Sequence, residues 1–167
     1  METKFNVFEV LQIAEKIDHN GAKYFLKTSE LFDDPELRNI FYMLANWRAR
    51  HEKILTQRRK RFFEKTGEFG TFDPNDYVLS NPNVMAGLAV FSHKPDSSRR
   101  FTGNESKEQI VRDAIRRSND AIFFYNGLKD FARDPASKDT IDKIIKEETR
   151  HIRLLNEQML NQKPAPD

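Results

Sequence analysis

Apolar residues recur at spacings of three and four along four stretches of the chain, which is the periodicity of amphipathic helices. No proline interrupts these stretches, and an interior proline would break a helix. The first stretch ends before Pro35, the second reaches about Arg61, the third spans about Glu105 to Arg133, and the fourth begins after Pro135. The apolar positions that define them are Phe8, Leu11, Ala14, Ala22 and Phe25; Leu37, Phe41, Leu44 and Leu55; Val111, Ala114, Ile115, Ile122 and Tyr125; and Ile141, Ile144, Ile145, Ile152 and Leu155. The pattern predicts an all-α fold.

The second and fourth stretches begin in the same way, with Asp34-Pro35 and Asp134-Pro135. An acidic N-cap followed by proline at the first helical position favours a helix start. The match extends further, because a shift of 100 residues also superposes other residues of the two halves. The superposed pairs are Ala14 and Ala114, Arg50 and Arg150, His51 and His151, Leu55 and Leu155, and the aromatic pairs 24–25 and 124–125.

This repeat predicts two copies of one helical hairpin, at about 5–60 and 105–160, within a single domain that spans residues 1–167. A segment of different character, about 62–104, separates them and contains Gly67, Gly70, Pro74, Pro82 and Pro95. It is too long for a tight turn, and a four-helix bundle with one long crossover needs such a connection between its second and third helices. The apolar run 84–91 predicts a short helix that packs on the bundle.

The amino-acid composition excludes several kinds of functional site. The chain has 167 residues and no cysteine, which excludes disulfides, thiol nucleophiles and Cys-ligated zinc or iron–sulfur centres. Lys plus Arg (28) nearly balance Asp plus Glu (26), so net charge gives no reason to expect a nucleic-acid or membrane partner. Charged residues interrupt the first thirty positions, so we expect no signal peptide or membrane span and a cytoplasmic protein.

Polar residues interrupt the apolar stripes, and polar groups in such positions need partners. Two of them, His51 and His151, occupy equivalent positions of the repeat. Arg48 and Glu148 lie three positions before them, on the same helical face. The six inward polar residues are Asp18, Arg48, His51, Ser118, Glu148 and His151.

A carboxylate on the first and third helices, with Glu-x-x-His on the second and fourth, is typical of di-iron carboxylate sites in ferritin-like bundles. The chain resembles the rubrerythrin family in particular in its segments IAEKIDHNGAKYF (13–25), LANWRARHEKIL (44–55) and EETRH (147–151). The resemblance covers all four helices. It implies a ferritin-like antiparallel four-helix bundle, in up-down-down-up order, built of two repeated hairpins joined by a long crossover. It also implies a homodimer.

Three of the six ligand positions depart from the family pattern. Asp18 stands where the family has Glu, Arg48 replaces a bridging Glu, and Ser118 replaces the Glu of the third helix. Four carboxylates would carry a charge of about −4, which matches two divalent ions. Here Asp18, Glu148 and Arg48 sum to about −1 with neutral histidines, and arginine has no lone pair to offer a metal. The departures argue against a normal dinuclear centre.

Three interpretations of the cluster remain open. In the first, one iron, manganese or zinc ion is bound by four ligands, Asp18, His51, Glu148 and His151. In the second, Arg48 replaces the metal and pairs with Asp18 and Glu148 while the histidines form hydrogen bonds nearby. In the third, a dinuclear site is completed by ligands or waters outside the family pattern.

The leading functional hypothesis is a rubrerythrin-like protein with a remodelled site, which binds at most one transition metal ion and has weak or no oxidoreductase activity. A second hypothesis keeps peroxide or oxygen reduction at a nonstandard iron centre. The family usually takes electrons from a Cys-ligated iron domain on the same chain, so here the electron donor would be external. A third hypothesis is a metal-free dimeric adaptor.

Other residues have simpler interpretations. The basic run 58–61 is expected to be a solvated helix end, where cations are stabilising. Trp47 is expected to pack between helices or under the crossover, and His19 and His93 to be solvated. Phe25 and Tyr125 are expected to close the apolar wall of the site.

Overall fold

The computed structural model of the chain describes residues 4–70 and 101–157, which form four long helices. They are α1 (Val7–Ser29), α2 (Pro35–Thr66), α3 (Lys107–Leu128) and α4 (Pro135–Leu155), with a short 3₁₀ helix, Lys129–Phe131, after α3. The predicted all-α four-helix bundle is confirmed. The predicted short helix at 84–91 and His93 lie outside the described residues. Within the described residues, no helix is both long and apolar enough to cross a membrane.

Side-chain caps fix all four helix starts. The two predicted caps are present: Asp34 accepts hydrogen bonds from backbone N–H groups of the first turn of α2, and Asp134 does the same in α4. Asn6 and Ser106 cap α1 and α3 through reciprocal capping boxes with Glu9 and Gln109. These bonds satisfy backbone donors that a helix start leaves unpaired.

Two helix ends differ from the predicted boundaries. The second helix continues to Thr66 rather than ending at about Arg61, and it stops where Gly67 adopts a left-handed φ of 70°. Phe62 is part of this extension and packs against the core, which favours continuing the helix. The third helix ends at Leu128, before the predicted Arg133, because the chain tightens there into the 3₁₀ turn.

The basic run 58–61 therefore lies inside α2 rather than at its end. Arg58, Lys60 and Arg61 are exposed, as expected for a solvated run. Arg59 differs, because its Nε donates a hydrogen bond of 2.6 Å to Oε2 of Glu15 on α1. One member of the run thus helps to hold the first two helices together.

Each hairpin packs along its own length, α1 against α2 and α3 against α4. The hairpins meet where α1 contacts α4 and α2 contacts α3. One continuous apolar core joins them, with completely buried residues on every helix, among them Val10, Ile17, Phe41, Leu55, Ile110, Val111, Ile141 and Ile144. The inward polar positions of the sequence lie inside this core.

The N-terminal residues tie the hairpins together at one end of the bundle. The N–H of Phe5 donates to the carbonyl of Phe131 at 2.7 Å, and the N–H of Arg133 donates to the carbonyl of Phe5 at 2.8 Å. The ring of Phe5 is buried in the core. The Arg133 guanidinium also contacts both carboxylate oxygens of Glu68, just after α2, at 3.1 and 3.0 Å. This clasp connects three segments that are distant in sequence.

The cap at Asp134 is expected to contribute to the stability of the fold, and this contribution can be measured. Its carboxylate accepts from the backbone N–H of Ser137 at 2.9 Å and from the Ser137 hydroxyl at 2.8 Å. These bonds lower the pKa of Asp134 below its ordinary value. We expect Asp134→Ala to lower the free energy of unfolding by about 1 kcal/mol at neutral pH, measured by urea denaturation. Because the folded-state pKa is lowered, this contribution disappears as the pH falls through it.

The control is Asp139→Ala, which removes an exposed carboxylate of the same helix that contacts Lys143. We expect a loss of only a few tenths of a kcal/mol there. Equal losses for the two variants would contradict the capping role.

Candidate functional site

Arg48 lies at the centre of the bundle and contacts all three other helices. Its Nη1 donates to Oδ1 of Asp18 on α1 at 3.0 Å and to Oε1 of Glu148 on α4 at 2.5 Å. Its Nη2 donates to Oε2 of Glu148 at 3.1 Å and to the hydroxyl of Ser118 on α3 at 3.0 Å. All four side chains are almost completely buried. The guanidinium therefore bridges two carboxylates and holds one of them with a bidentate fork.

The charges of this cluster stabilise one another. Burial by itself lowers the pKa of Arg48, but the carboxylates of Glu148 and Asp18 outweigh it and raise the pKa above the ordinary arginine value. Burial raises the pKa of Glu148, whereas the guanidinium acts in the opposite direction. A buried carboxylate without a cation would be costly, so the arginine is what permits two acidic groups at this depth.

His51 lies on the other side of Asp18. Its Nδ1 is 2.7 Å from Oδ2 of Asp18, close enough for an ion pair if the ring is protonated. The approach is not aligned as a hydrogen bond, and neither ring nitrogen of His51 nor Oδ2 of Asp18 has a hydrogen-bond partner among the described residues. His51 and Asp18 thus have three buried polar atoms without a hydrogen bond there.

Trp47 joins the two histidines of the repeat. Its ring stacks on His151 with centroids 3.7 Å apart and an interplanar angle of 14°, and its centroid is 5.2 Å from that of His51. Burial, with the positive charge of Arg48, lowers the pKa of His151 to about 3, so this imidazole is neutral at physiological pH. The expected packing role of Trp47 is confirmed, and its contact with His51 could have been anticipated from their i, i+4 spacing.

The remaining predicted residues lie where their patterns suggested. Tyr125 is buried, and burial together with the negative charges of Asp18 and Glu148 raises its pKa well above the ordinary value, so the phenol is neutral. Phe25 is buried in the same core. The side chain of His19 is half exposed, and its Nδ1 lies 3.0 Å from a carboxylate oxygen of Glu52.

One buried polar cluster was missed by the sequence analysis. On α3, Nε of Arg117 donates to Oδ2 of Asp113 at 2.8 Å, and its Nη2 donates to the hydroxyl of Tyr24 on α1 at 2.7 Å. The signal lay in the repeat, because the first copy has Ile13 and Ile17 where the second has Asp113 and Arg117. This cluster ties α1 to α3 through polar contacts.

Neither a protein-family model nor a curated protein sequence matches this chain. Among solved structures, the chain is similar to a protein from Thermotoga maritima that is described as ferritin-like and diiron-carboxylate. The likeness has a TM-score of 0.52 at 22% identity and covers 98% of this chain and 100% of the other. The fold is ferritin-like. At this identity the likeness concerns the architecture alone.

The residues of this ferritin-like bundle do not fit a dinuclear metal centre. Such a centre uses a carboxylate from every helix, whereas α2 supplies the cationic Arg48 and α3 supplies Ser118. The guanidinium binds both carboxylate oxygens of Glu148 and Oδ1 of Asp18, and two metal ions would require these oxygens. In the described part of the chain, no group of three or more His, Cys, Asp or Glu side chains is arranged to hold a metal ion.

The ion-pair network predicts that Arg48→Met strongly lowers the free energy of unfolding. This change leaves two buried carboxylates without their cation, and we expect the free energy of unfolding to fall by about 3 to 5 kcal/mol at neutral pH, measured by urea denaturation. Without the guanidinium, burial raises the pKa of Glu148 further. The deficit should therefore narrow as the pH falls and the carboxyl group is protonated.

Arg50→Met is the matched control, since Arg50 is exposed on the same helix. We expect it to change the unfolding free energy by less than about 0.5 kcal/mol. A deficit for Arg48→Met that is small, or that grows as the pH falls, would contradict the compensating role of the guanidinium.

The stacked histidine gives a spectroscopic prediction. Because its pKa is lowered to about 3, His151 should remain neutral across the physiological range. Its imidazole NMR signal, assigned by its loss in His151→Gln, should not shift between about pH 8 and pH 5. In urea-unfolded protein the same signal should titrate near the ordinary histidine pKa. A midpoint between those limits in the folded protein would contradict a buried, neutral His151.

Proposed function

We propose that this chain is a rubrerythrin-like ferritin-fold protein with a remodelled di-iron site, which binds at most one transition metal ion and has weak or no oxidoreductase activity. The observation that carries the proposal is the position of Arg48, whose guanidinium binds the carboxylates of Asp18 and Glu148. These are two of the groups that would otherwise neutralise metal charge. An arginine stays protonated in a protein, so its positive charge opposes a nearby metal ion at any physiological pH.

Ser118 supports the same proposal from the third helix. A hydroxyl brings no negative charge, and this one already accepts a hydrogen bond from Nη2 of Arg48. With Arg48, Asp18 and Glu148, the centre carries about −1, far from the −4 that balances two divalent ions. The remaining charge of about −1 thus suits at most one metal ion.

The atoms without hydrogen bonds indicate where a single ion would bind. Oδ2 of Asp18 and the ring nitrogens of His51 are buried and have no hydrogen-bond partner among the described residues. Imidazole nitrogen and carboxylate oxygen suit iron, manganese or zinc. This observation favours the second candidate function, a peroxide- or oxygen-linked iron oxidoreductase, for which an external reductant would supply the electrons.

The metal-free adaptor is favoured by a different observation. Arg48 makes hydrogen bonds to Asp18, Glu148 and Ser118, so part of the cluster is satisfied without any ion. In this case the bundle would act through its surface rather than through its centre.

Metal content separates these functions. After reconstitution with excess Fe²⁺ or Zn²⁺ and desalting, we expect no more than one metal ion per wild-type chain by plasma mass spectrometry. The double variant Arg48→Glu/Ser118→Glu restores the carboxylate pattern of ferritin-like sites, and we expect it to take up about two ions per chain. Circular dichroism would check that both proteins are helical.

Arg50→Glu is the control, because it also replaces an arginine of α2 with glutamate, but on the exposed face of the helix, and it should leave metal content at the wild-type value. Peroxide consumption by the Fe²⁺-loaded wild type, abolished by His51→Ala, would favour the oxidoreductase. No uptake and no turnover would favour the adaptor. Two ions per wild-type chain would contradict the proposed remodelling.

A further inference from the structure

The C-terminal part of α2 concentrates positive charge on its surface. Residues 53–65 contain six Lys and Arg against one Glu, which gives this stretch a formal charge of +5. The whole chain carries +2, so the remainder is net negative, and the near balance over the whole chain conceals the local excess. Five of the six basic residues are exposed, and we call them the α2 basic stripe: Lys53, Arg58, Lys60, Arg61 and Lys65.

Helical geometry places the α2 basic stripe on one side of α2. At 3.6 residues per turn, its five members fall within an arc of about 160° and extend about 18 Å along the helix axis. The opposite side of the same stretch packs into the bundle, where Leu55 is buried and Phe62 contacts the core. The stripe is therefore a straight, outward-facing row of cations on a helix that the core holds in place.

Ion pairs within the molecule do not neutralise the α2 basic stripe. The sixth basic residue of the stretch, Arg59, is held by Glu15 of α1 at 2.6 Å and is not part of the stripe. Among the described residues, no side chain of the stripe forms a salt bridge or a hydrogen bond. Like charges three or four positions apart on a helix repel each other, as at positions 58 and 61 and at 61 and 65. An external anion would relieve this repulsion.

The residue types and the length of the stripe fit a row of phosphate groups. Arg58 and Arg61 carry planar guanidinium groups, which bind phosphate oxygens in a bidentate manner. Successive phosphates on one strand of duplex DNA are about 3.4 Å apart along the axis, so a stripe of about 18 Å spans about five of them. Five exposed cations thus lie along a length that offers about five phosphates.

Two other phosphate-bearing partners fit this surface less well. A helix that binds a membrane surface presents a broad apolar face to the lipid, whereas Ile54 is the one exposed large apolar side chain on this side of the described residues 53–65. Proteins that bind single strands stack the bases on aromatic side chains. Phe63 is exposed, but it lies about 200° around the helix from Arg61, and its ring contacts Phe69.

We propose that the α2 basic stripe binds the phosphate backbone of double-stranded DNA without regard to base sequence. Contacts to phosphates fix the position of a protein on the duplex but carry no sequence information. The inference goes beyond the proposed function and is independent of it, because no residue of the central cluster takes part. The metal content of the centre and the binding of DNA can therefore be measured separately, and either proposal can fail alone.

The salt dependence of binding tests the proposal. We expect the wild type to bind a fluorescein-labelled 20-base-pair duplex with a micromolar dissociation constant at 50 mM KCl, measured by fluorescence anisotropy. The logarithm of the association constant should fall with the logarithm of the KCl concentration with a slope of about −4.5, because five phosphate contacts release counterions. Arg58→Gln/Arg61→Gln removes two of these contacts. It should make the slope shallower by about 2 and raise the dissociation constant at least about tenfold at 50 mM KCl.

Lys23→Gln/Lys27→Gln is the matched control. It removes the same two charges from the exposed surface of α1, outside the stripe. Its dissociation constant should stay within about threefold of the wild-type value, and its slope should be unchanged. Circular dichroism would check that both double variants keep their helicity.

Competition identifies the partner. Unlabelled duplex should displace the labelled duplex more effectively, per negative charge, than an oligonucleotide of 20 thymidines, phosphatidylserine vesicles or polyglutamate. A competitor that outperforms the duplex would overturn the assignment of the stripe to DNA. So would a wild type that does not bind the duplex at 50 mM KCl with protein at about 100 μM. Equal losses of affinity in the two double variants would show that overall charge, rather than the α2 basic stripe, is responsible.

Discussion

The guanidinium of Arg48 is the positive charge on which the centre of the bundle depends. Asp18 and Glu148 are too deeply buried to be solvated, and each would destabilise the fold as an isolated anion. One planar cation reaches both, with a hydroxyl on the third helix completing its contacts. Because the four groups come from four helices, the same interaction that balances charge also sets how the helices lie relative to one another.

Much of the fold could be predicted because it depends on local signals. Apolar periodicity, the Asp-Pro helix starts and the repeat at 100 residues locate four helices without any knowledge of tertiary contacts. Two helix ends could not be predicted in the same way. The extension of α2 to Thr66 depends on Phe62 finding space against the core, and the early end of α3 depends on pairing of the following segment with Phe5. Such effects are tertiary and leave no periodic mark in the sequence.

The site was predictable in its residues but not in its geometry. Equivalent positions in two hairpins must converge, so the six polar residues could be grouped from spacing alone. Whether Arg48 bridges both carboxylates depends on side-chain directions, as does the stacking of Trp47 on His151. The two copies of the repeat differ at Arg48 and Glu148, and at Ile17 and Arg117. The repeat gives the two hairpins similar positions for their side chains, and the distinctive polar contacts lie where the two copies differ.

The pairing of Phe5 has a consequence for how the chain is made. Its two backbone partners, Phe131 and Arg133, are more than 120 residues later in the sequence, so this contact joins two distant parts of the chain. On a ribosome, the first hairpin can collapse before the backbone partners of Phe5 have been made. These backbone hydrogen bonds of Phe5 can form only after the turn that follows α3 has emerged. The clasp therefore closes only after the start of the second hairpin has been synthesised, and its closure is a late step of folding.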